Sequence, residues 1–266
     1  MGKERQQIKN RKKPEIGLKK AAIFVFWLCV WQALSLLAAN NILLVGPLET
    51  AKTFWQLLQE PAFFSSIGNS LCHILTGFFL AAGSGICLGW ISYHVPFCRA
   101  LLSPLVSLMK AIPVASFVIL ALIWLGGSRN LSTFVSFVVV FPMIYLSTLS
   151  GLFSTDPKLL EFAFVFRLNW FRRLRYIEFP ALLPYLLSCF QTALGMCWKS
   201  GVAAELIGQP QHTIGANLYQ AKIFLDTPSL FAWTASLIFI SWCFEKILLL
   251  ALKRFSVLER EEEQNA

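Results

Sequence analysis

AAIFVFWLCVWQALSLLAA, Ala21 to Ala39, is nineteen residues without a charge, about the length an α-helix needs to cross the hydrocarbon core of a bilayer. It is longer than the apolar part of a cleavable leader, and its small terminal residues run straight on into NNILLVGP, so it reads as a retained span. The composition agrees. Of 266 residues, 56% are apolar and only 14% charged, whereas soluble domains carry about a quarter charged residues. The fold class expected is an all-α membrane protein.

Five further apolar stretches follow, near Leu71–Ile91, Leu101–Leu125, Leu131–Phe153, Leu182–Ile207 and Leu230–Leu252. Six spans put both termini on one side, and the basic residues test this. Lys3, Arg5, Lys9, Arg11, Lys12, Lys13, Lys19 and Lys20 precede the first span, and the later segments on that side bring the total to 17, against Lys52, Arg129 and Lys222 on the other. Such asymmetry marks the cytoplasmic side. The same placement explains the net charge of +9 without nucleic acid. The domains expected are a basic cytoplasmic tail over 1–20, a six-span domain over 21–254 and an acidic cytoplasmic tail over 255–266, whose end, EREEEQNA (259–266), is expected to be disordered.

ETAKTFWQLLQEPAFFSSIGNS, between the first two spans, has Phe54, Leu57 and Leu58 at helical spacing among polar residues, which suits a helix lying at the interface. In LLSPLVSLMKAIPVASF, Pro104 and Pro113 should both interrupt a helix, and such breaks persist in a membrane only where protein or water covers them. Gly83-Ser84-Gly85 lacks a strand context and a histidine base, so it reads as close helix packing rather than a nucleophile turn. The seven cysteines show no paired C-x-x-C spacing and read as small buried hydrophobes. His73, His94 and His212 show no metal-ligand spacing. No metal site, catalytic residue or cofactor is expected.

One segment departs from this economy of charge. Over EFAFVFRLNWFRRLRYIEFP, Glu161 to Pro180, four arginines are interleaved with seven aromatic residues. Asp156 and Pro157 fit the cap and first position of a short helix. Trp170, Phe171, Leu174 and Ile177 would form one face of a second. On the residues alone, a basic loop that fixes topology and touches lipid head groups accounts for this.

The spacing also resembles the pattern E-A-A, three residues, G, nine residues, I-x-L-P of the cytoplasmic loop in inner-membrane permease subunits of bacterial ABC importers. Glu161-Phe162-Ala163, Arg167, Ile177 and Phe179-Pro180 stand at its positions. KAIPVASFVILALIWLG (110–126), DPKLLEFA (156–163), FPALLPYLLSCFQTALGMCWKSGVAAELIG (179–208) and IGANLYQAK (214–222) resemble, in the same order, the branch that imports nitrate, sulfonates and taurine. The resemblance covers roughly residues 40–254.

It implies the translocating subunit of an ATP-driven importer in the bacterial inner membrane. Two permease copies, cytoplasmic ATPase subunits and an external substrate-binding protein would complete it, with the loop near 154–180 docking on the ATPase through Phe162, Phe166 and Trp170. Phe162 and Arg167 depart from the pattern's alanine and glycine. A glycine there often takes positive φ, which costs an L-residue about 1 kcal/mol, so either the turn is built differently or Arg167 adds a contact.

The chain has no G-x-x-x-x-G-K-S/T phosphate loop and would borrow its ATPase. Lys110, Lys199 and Glu205 fall within or at the ends of spans, where charge is costly and marks candidate pathways, with Pro113 beside Lys110. Lys110 could equally snorkel to the interface, and Glu205 fits structural pairing. The implied cargo is a small oxoanion such as nitrate, an alkanesulfonate or taurine; a thiamine-precursor pyrimidine is the alternative. An intramembrane enzyme would need a convergent set of acids, histidines or serines that cannot be assembled, and a plain membrane anchor has no need of proline-broken spans.

Overall fold

The computed structural model describes residues 22–38 and 44–265, and all its regular elements there are helices. The expected basic tail over 1–20 lies outside them. The chain divides into two units, one comprising the described residues up to Glu60 with Gln220–Ala235, the other Pro61–Tyr219 and the described residues from Ser236 onward.

In the first unit the opening apolar stretch forms helix α1, Ala22–Ala38. Trp31 donates its indole N–H to the Val45 carbonyl at 2.9 Å and Ser35 its hydroxyl to Leu44 O at 3.1 Å, so two polar groups on an apolar helix are satisfied by the chain that follows. Helix α2, Pro47–Leu57, is the expected short amphipathic helix. It ends sooner than expected, because Pro61 opens a new helix and the residues from there to Ser70 belong to α3, Pro61–His94.

The second unit is built on α3, α6 (Leu131–Phe153) and α9 (Phe179–Gly208). Helix α6 is the central one: 67% of its most apolar window is buried, against 17–39% in the other long helices. The helices approach closely because small residues face one another. Gly77, Ala81, Gly85 and Gly89 form a four-residue stripe on α3, and Cβ atoms at Gly85 and Gly89 would stand 3.1 Å and 2.8 Å from Ile144 and Thr148 side-chain atoms of α6. Gly83 has nothing within 4 Å, so of the Gly83-Ser84-Gly85 run it is Gly85 that packs. Hydroxyl bonds stitch the same interfaces, with Thr133 donating to His73 O at 2.9 Å and Ser147 to Tyr185 O at 3.0 Å, as expected where lipid offers no alternative partner.

The third apolar stretch is two helices, α4 (Pro96–Ala111) and α5 (Val114–Leu125), bent by 110°. The break is at Pro113, which pushes Ile112 into extended backbone (φ −75°, ψ 127°), because the residue before a proline is disfavoured in the helical region. Pro104 does not break the chain as expected; α4 continues through it. Loop 154–180 contains α7 (Pro157–Val165) and α8 (Trp170–Arg173), and the chain continues after α9 in α10 (Ile214–Ile223) and α11 (Thr227–Asn265). The stretch EREEEQNA, expected to be disordered, is helical as far as Asn265; Glu, Arg and Gln are good helix formers, and extending an existing helix needs no new nucleus.

Among the described residues, four helices are long and apolar enough to cross a membrane, five if the bent pair counts as one span, and α1 is a shorter apolar helix. Phe79, Leu80, Ile119, Ile123, Trp124, Ile238 and Phe239 are exposed on these helices, large apolar side chains suited to lipid and unsuited to water.

Candidate coupling loop and polar sites

Asp156 caps α7 by accepting from Lys158 N at 2.9 Å, with Pro157 at the first helical position. At the other end of α7, Arg167 N–H reaches Phe164 O at 3.1 Å and Leu168 N–H reaches Ala163 O at 2.9 Å, the paired bonds of a Schellman C-cap. That cap needs a left-handed residue, and Arg167 supplies it with φ 48°. The turn therefore keeps the backbone expected of a glycine, and the arginine bears the strain.

Ala163 and Ile177 are buried, each 6% exposed, and fix the loop to the body. The other aromatics point away: Phe162, Phe164, Phe166, Trp170, Phe171 and Tyr176 are all exposed. Phe162 and Phe166 lie 4.3 Å apart between ring centroids. Trp170 belongs to a different contact, edge-on to Trp90 of α3 at 5.7 Å. Glu161 and Arg167 are exposed, as are Phe179 and Pro180 where α9 begins.

The second short helix differs from expectation. After one turn, α8 passes into a π-helical turn, Leu174–Glu178, and then into α9 without a break. The wider turn shifts the register, so Trp170 and Phe171 face outward while Ile177 faces in.

The same turn directs Glu178 inward, 1% exposed. Its carboxylate accepts from Trp90 Nε1 at 2.8 Å and from Arg173 Nε at 2.7 Å, and lies 3.2 Å from His94 Nε2. Trp90 and His94 are on the last turns of α3, so this one side chain ties the loop's exit to a neighbouring long helix. Arg99 over the Phe153 ring at 5.3 Å and Tyr93 beside it at 5.2 Å close the corner. Sequence reasoning passed over Glu178 and saw at His94 only the lack of metal-ligand spacing. The available signal was an acid following four arginines, directly before Phe179-Pro180.

The four candidate pathway residues do not form one site. Lys110 ends α4 beside the break at Pro113 and lines a groove of about 410 Å³ with Ser147, Tyr185, Ser188 and Thr192. Lys199 is exposed on α9, seven residues beyond Thr192 and so two turns, about 10.5 Å, further along the same face.

Glu205 stands apart, 0% exposed. Rather than an ion pair, its carboxyl group accepts from Ser70 Oγ at 2.7 Å and Gly215 N at 3.1 Å, while Ser70 Oγ accepts from Ile214 N at 2.9 Å. It thereby caps the N-terminus of α10, where the backbone favours a negative group. A Cβ at position 215 would overlap the Glu205 side chain, which is why glycine stands there. No group of three or more His, Cys, Asp or Glu able to hold a metal occurs among the described residues.

Residues 83–256 match the family model described as "Binding-protein-dependent transport system inner membrane component". The putative aliphatic sulfonates transport permease of Bacillus subtilis is 26% identical over 81% of this chain and 77% of its own length. The taurine transport system permease of Escherichia coli is 26% identical over 85% and 82%, and the riboflavin transport system permease of Chloroflexus aurantiacus 28% identical over 86% and 84%. The fold resembles a chain of a bacterial ABC transporter that imports the acidic polysaccharide alginate, with a TM-score of 0.58 at 16% identity over 94% of this chain and 98% of that one. The chain belongs to the binding-protein-dependent transport system inner membrane component family and is a multi-pass permease subunit of an ABC importer, not an enzyme.

Proposed function

We propose that this permease imports a small oxoanion across the bacterial inner membrane, as a homodimer driven by two cytoplasmic ATPase subunits that dock on loop 154–180 and supplied by an extracytoplasmic binding protein. The observation that carries the reading is the loop's construction. A rigid base held by Glu178, Ala163 and Ile177 presents exposed aromatics flanked by Glu161 and arginines, whereas a segment that only set topology would have no need of a fixed aromatic surface. Nucleotide-driven movement of the ATPase would pass through Glu178 into α3 and along α9. The chain would cross the membrane six times with α4–α5 as one broken span and α1 as another, both termini in the cytoplasm, in keeping with the asymmetry of basic residues. A cysteine placed at position 165 would then react only with reagents that enter the cell, and labelling from outside overturns the orientation.

Anionic cargo is supported by the sulfonate, taurine and nitrate permeases among the relatives and by the exposed cations Lys110 and Lys199. An uncharged heteroaromatic cargo is the second reading, favoured by the riboflavin permease. Exposed aromatic anchors dominate such interfaces, at about 2 kcal/mol or more each. Phe162→Ala and Phe166→Ala should therefore each reduce co-purification of the ATPase by an order of magnitude or more, while Arg172→Ala at the rim changes it little. Unchanged binding in the correctly inserted phenylalanine variants would refute the assignment.

A further inference from the structure

At the opposite end of α3 and α9 from Glu178, a cavity of about 580 Å³ is lined by Asn69, His73, Ser128, Arg129, Gln209 and Gln211, within the roughly 300–1,000 Å³ range of small-molecule sites. Its chemistry is one-sided. Every one of these side chains can donate a hydrogen bond, no carboxylate lines the cavity, and Arg129 has no carboxylate within ion-pair distance among the described residues.

The walls are fixed. Asn69 donates to His212 O at 3.0 Å, and Thr133 bonds the His73 carbonyl at 2.9 Å. The loop 209–213 holds two strained residues, Gln209 at φ 49° and His212 at φ 53°, a conformation that persists only where the surroundings enforce it. The enforcement comes from Glu205, Ser70 and Thr213, which occupy the first amides of α10. The N-terminus of α6 and the C-terminus of α9 both end beside the cavity, so their dipoles oppose each other and Arg129 sets the sign.

We propose that this cavity is a subsite for a hydrated oxoanion of the sulfonate or nitrate class, with Arg129 supplying the charge and the amide, hydroxyl and imidazole groups the hydrogen bonds. The inference rests on the proposed function for its cargo and sidedness: in the six-span topology the cavity opens on the extracytoplasmic face, where released cargo enters. The site is open and wet, so it holds the anion briefly at millimolar concentrations and does not sequester it.

The test uses the full permease assembled with its ATPase, carrying Gln211→Cys in a background without its native cysteines. An anionic methanethiosulfonate should modify Cys at this position several-fold faster than a cationic one, and Arg129→Glu should reverse the order. Methanesulfonate or nitrate, compared with chloride at equal ionic strength, should slow both reagents; Arg129→Gln should abolish this protection and Arg129→Lys retain it. Equal rates for the two reagents, or protection that appears only when a binding protein is added, overturns the subsite, the latter because the donors would then serve a carboxylate of a docked partner. ATPase co-purification is read on the same samples and on their Phe162→Ala counterparts. Docking that survives Phe162→Ala together with intact protection refutes the proposed loop function alone, and docking that Phe162→Ala weakens together with absent protection refutes the subsite alone.

Discussion

Replacing Gly77 and Gly83 separately with alanine separates helix propensity from helix packing, because the two glycines lie on one helix six residues apart and differ only in what they face. A Cβ at position 77 would overlap the carbonyl oxygen of Thr133 and stand 2.8 Å from Ser136 Cβ and 3.2 Å from the Phe137 amide nitrogen. Two of these neighbours are backbone atoms of α6 and cannot rotate away, so α3 and α6 must part along the whole small-residue stripe. Such overpacking costs about 1–3 kcal/mol, offset by roughly 0.5–1 kcal/mol for replacing glycine in a helix interior. The net expectation is a loss of about 1–2 kcal/mol for Gly77→Ala. At Gly83 nothing lies within 4 Å, and the substitution should gain about 0.5–1 kcal/mol. A difference of about 2 kcal/mol, close to thirtyfold in the folded ratio, is measurable by titrating the purified permease from mild detergent micelles into SDS and following helicity and tryptophan fluorescence. Equal shifts for the two variants would refute the packing argument, since propensity alone would then explain both.

Two further substitutions probe the loop. Glu178→Ala removes the shared acceptor of Trp90 and Arg173, and hydrogen bonds to a charged group are worth about 1.5–3 kcal/mol. With Arg173 partly solvated, a loss of about 2 kcal/mol and a changed tryptophan emission are expected in the same titration; a loss below about 0.5 kcal/mol would show that the tie bears no weight. Arg167→Gly should relieve about 1 kcal/mol of left-handed strain and slow amide exchange over 164–168, whereas Arg167→Ala keeps the strain and should not. Identical exchange in the two variants would show that a contact of the arginine, and not its φ of 48°, governs the turn.

The parts of the site that the sequence revealed are those encoded by local spacing. Asp156-Pro157 announces a helix start because the cap and the proline act on the next three residues only, and the structure carries that cap. The glycine-bearing pattern located a turn at position 167 but left its backbone open, and only the structure shows the left-handed residue there. Glu178 was not legible, because its partners Trp90 and His94 are more than eighty residues away and a π turn, which leaves no periodic trace, is what aims it inward. The same holds for the Asn69–Arg129–Gln211 cavity, whose walls come from three separate parts of the chain.

The sequence by itself determined the class of solvent, the helical character and the family, since apolar run length, the bias of basic residues and motif spacing are properties of the linear chain. Tertiary structure decided the rest. Of two prolines in one stretch, only Pro113 breaks the helix. Of two glycines two residues apart, only Gly85 packs against α6. Glu205 finds hydroxyl and amide donors where a cation was equally conceivable. In each case the local chemistry permits both outcomes, and the choice falls to whichever neighbour the packing of α3, α6 and α9 brings within a few ångströms.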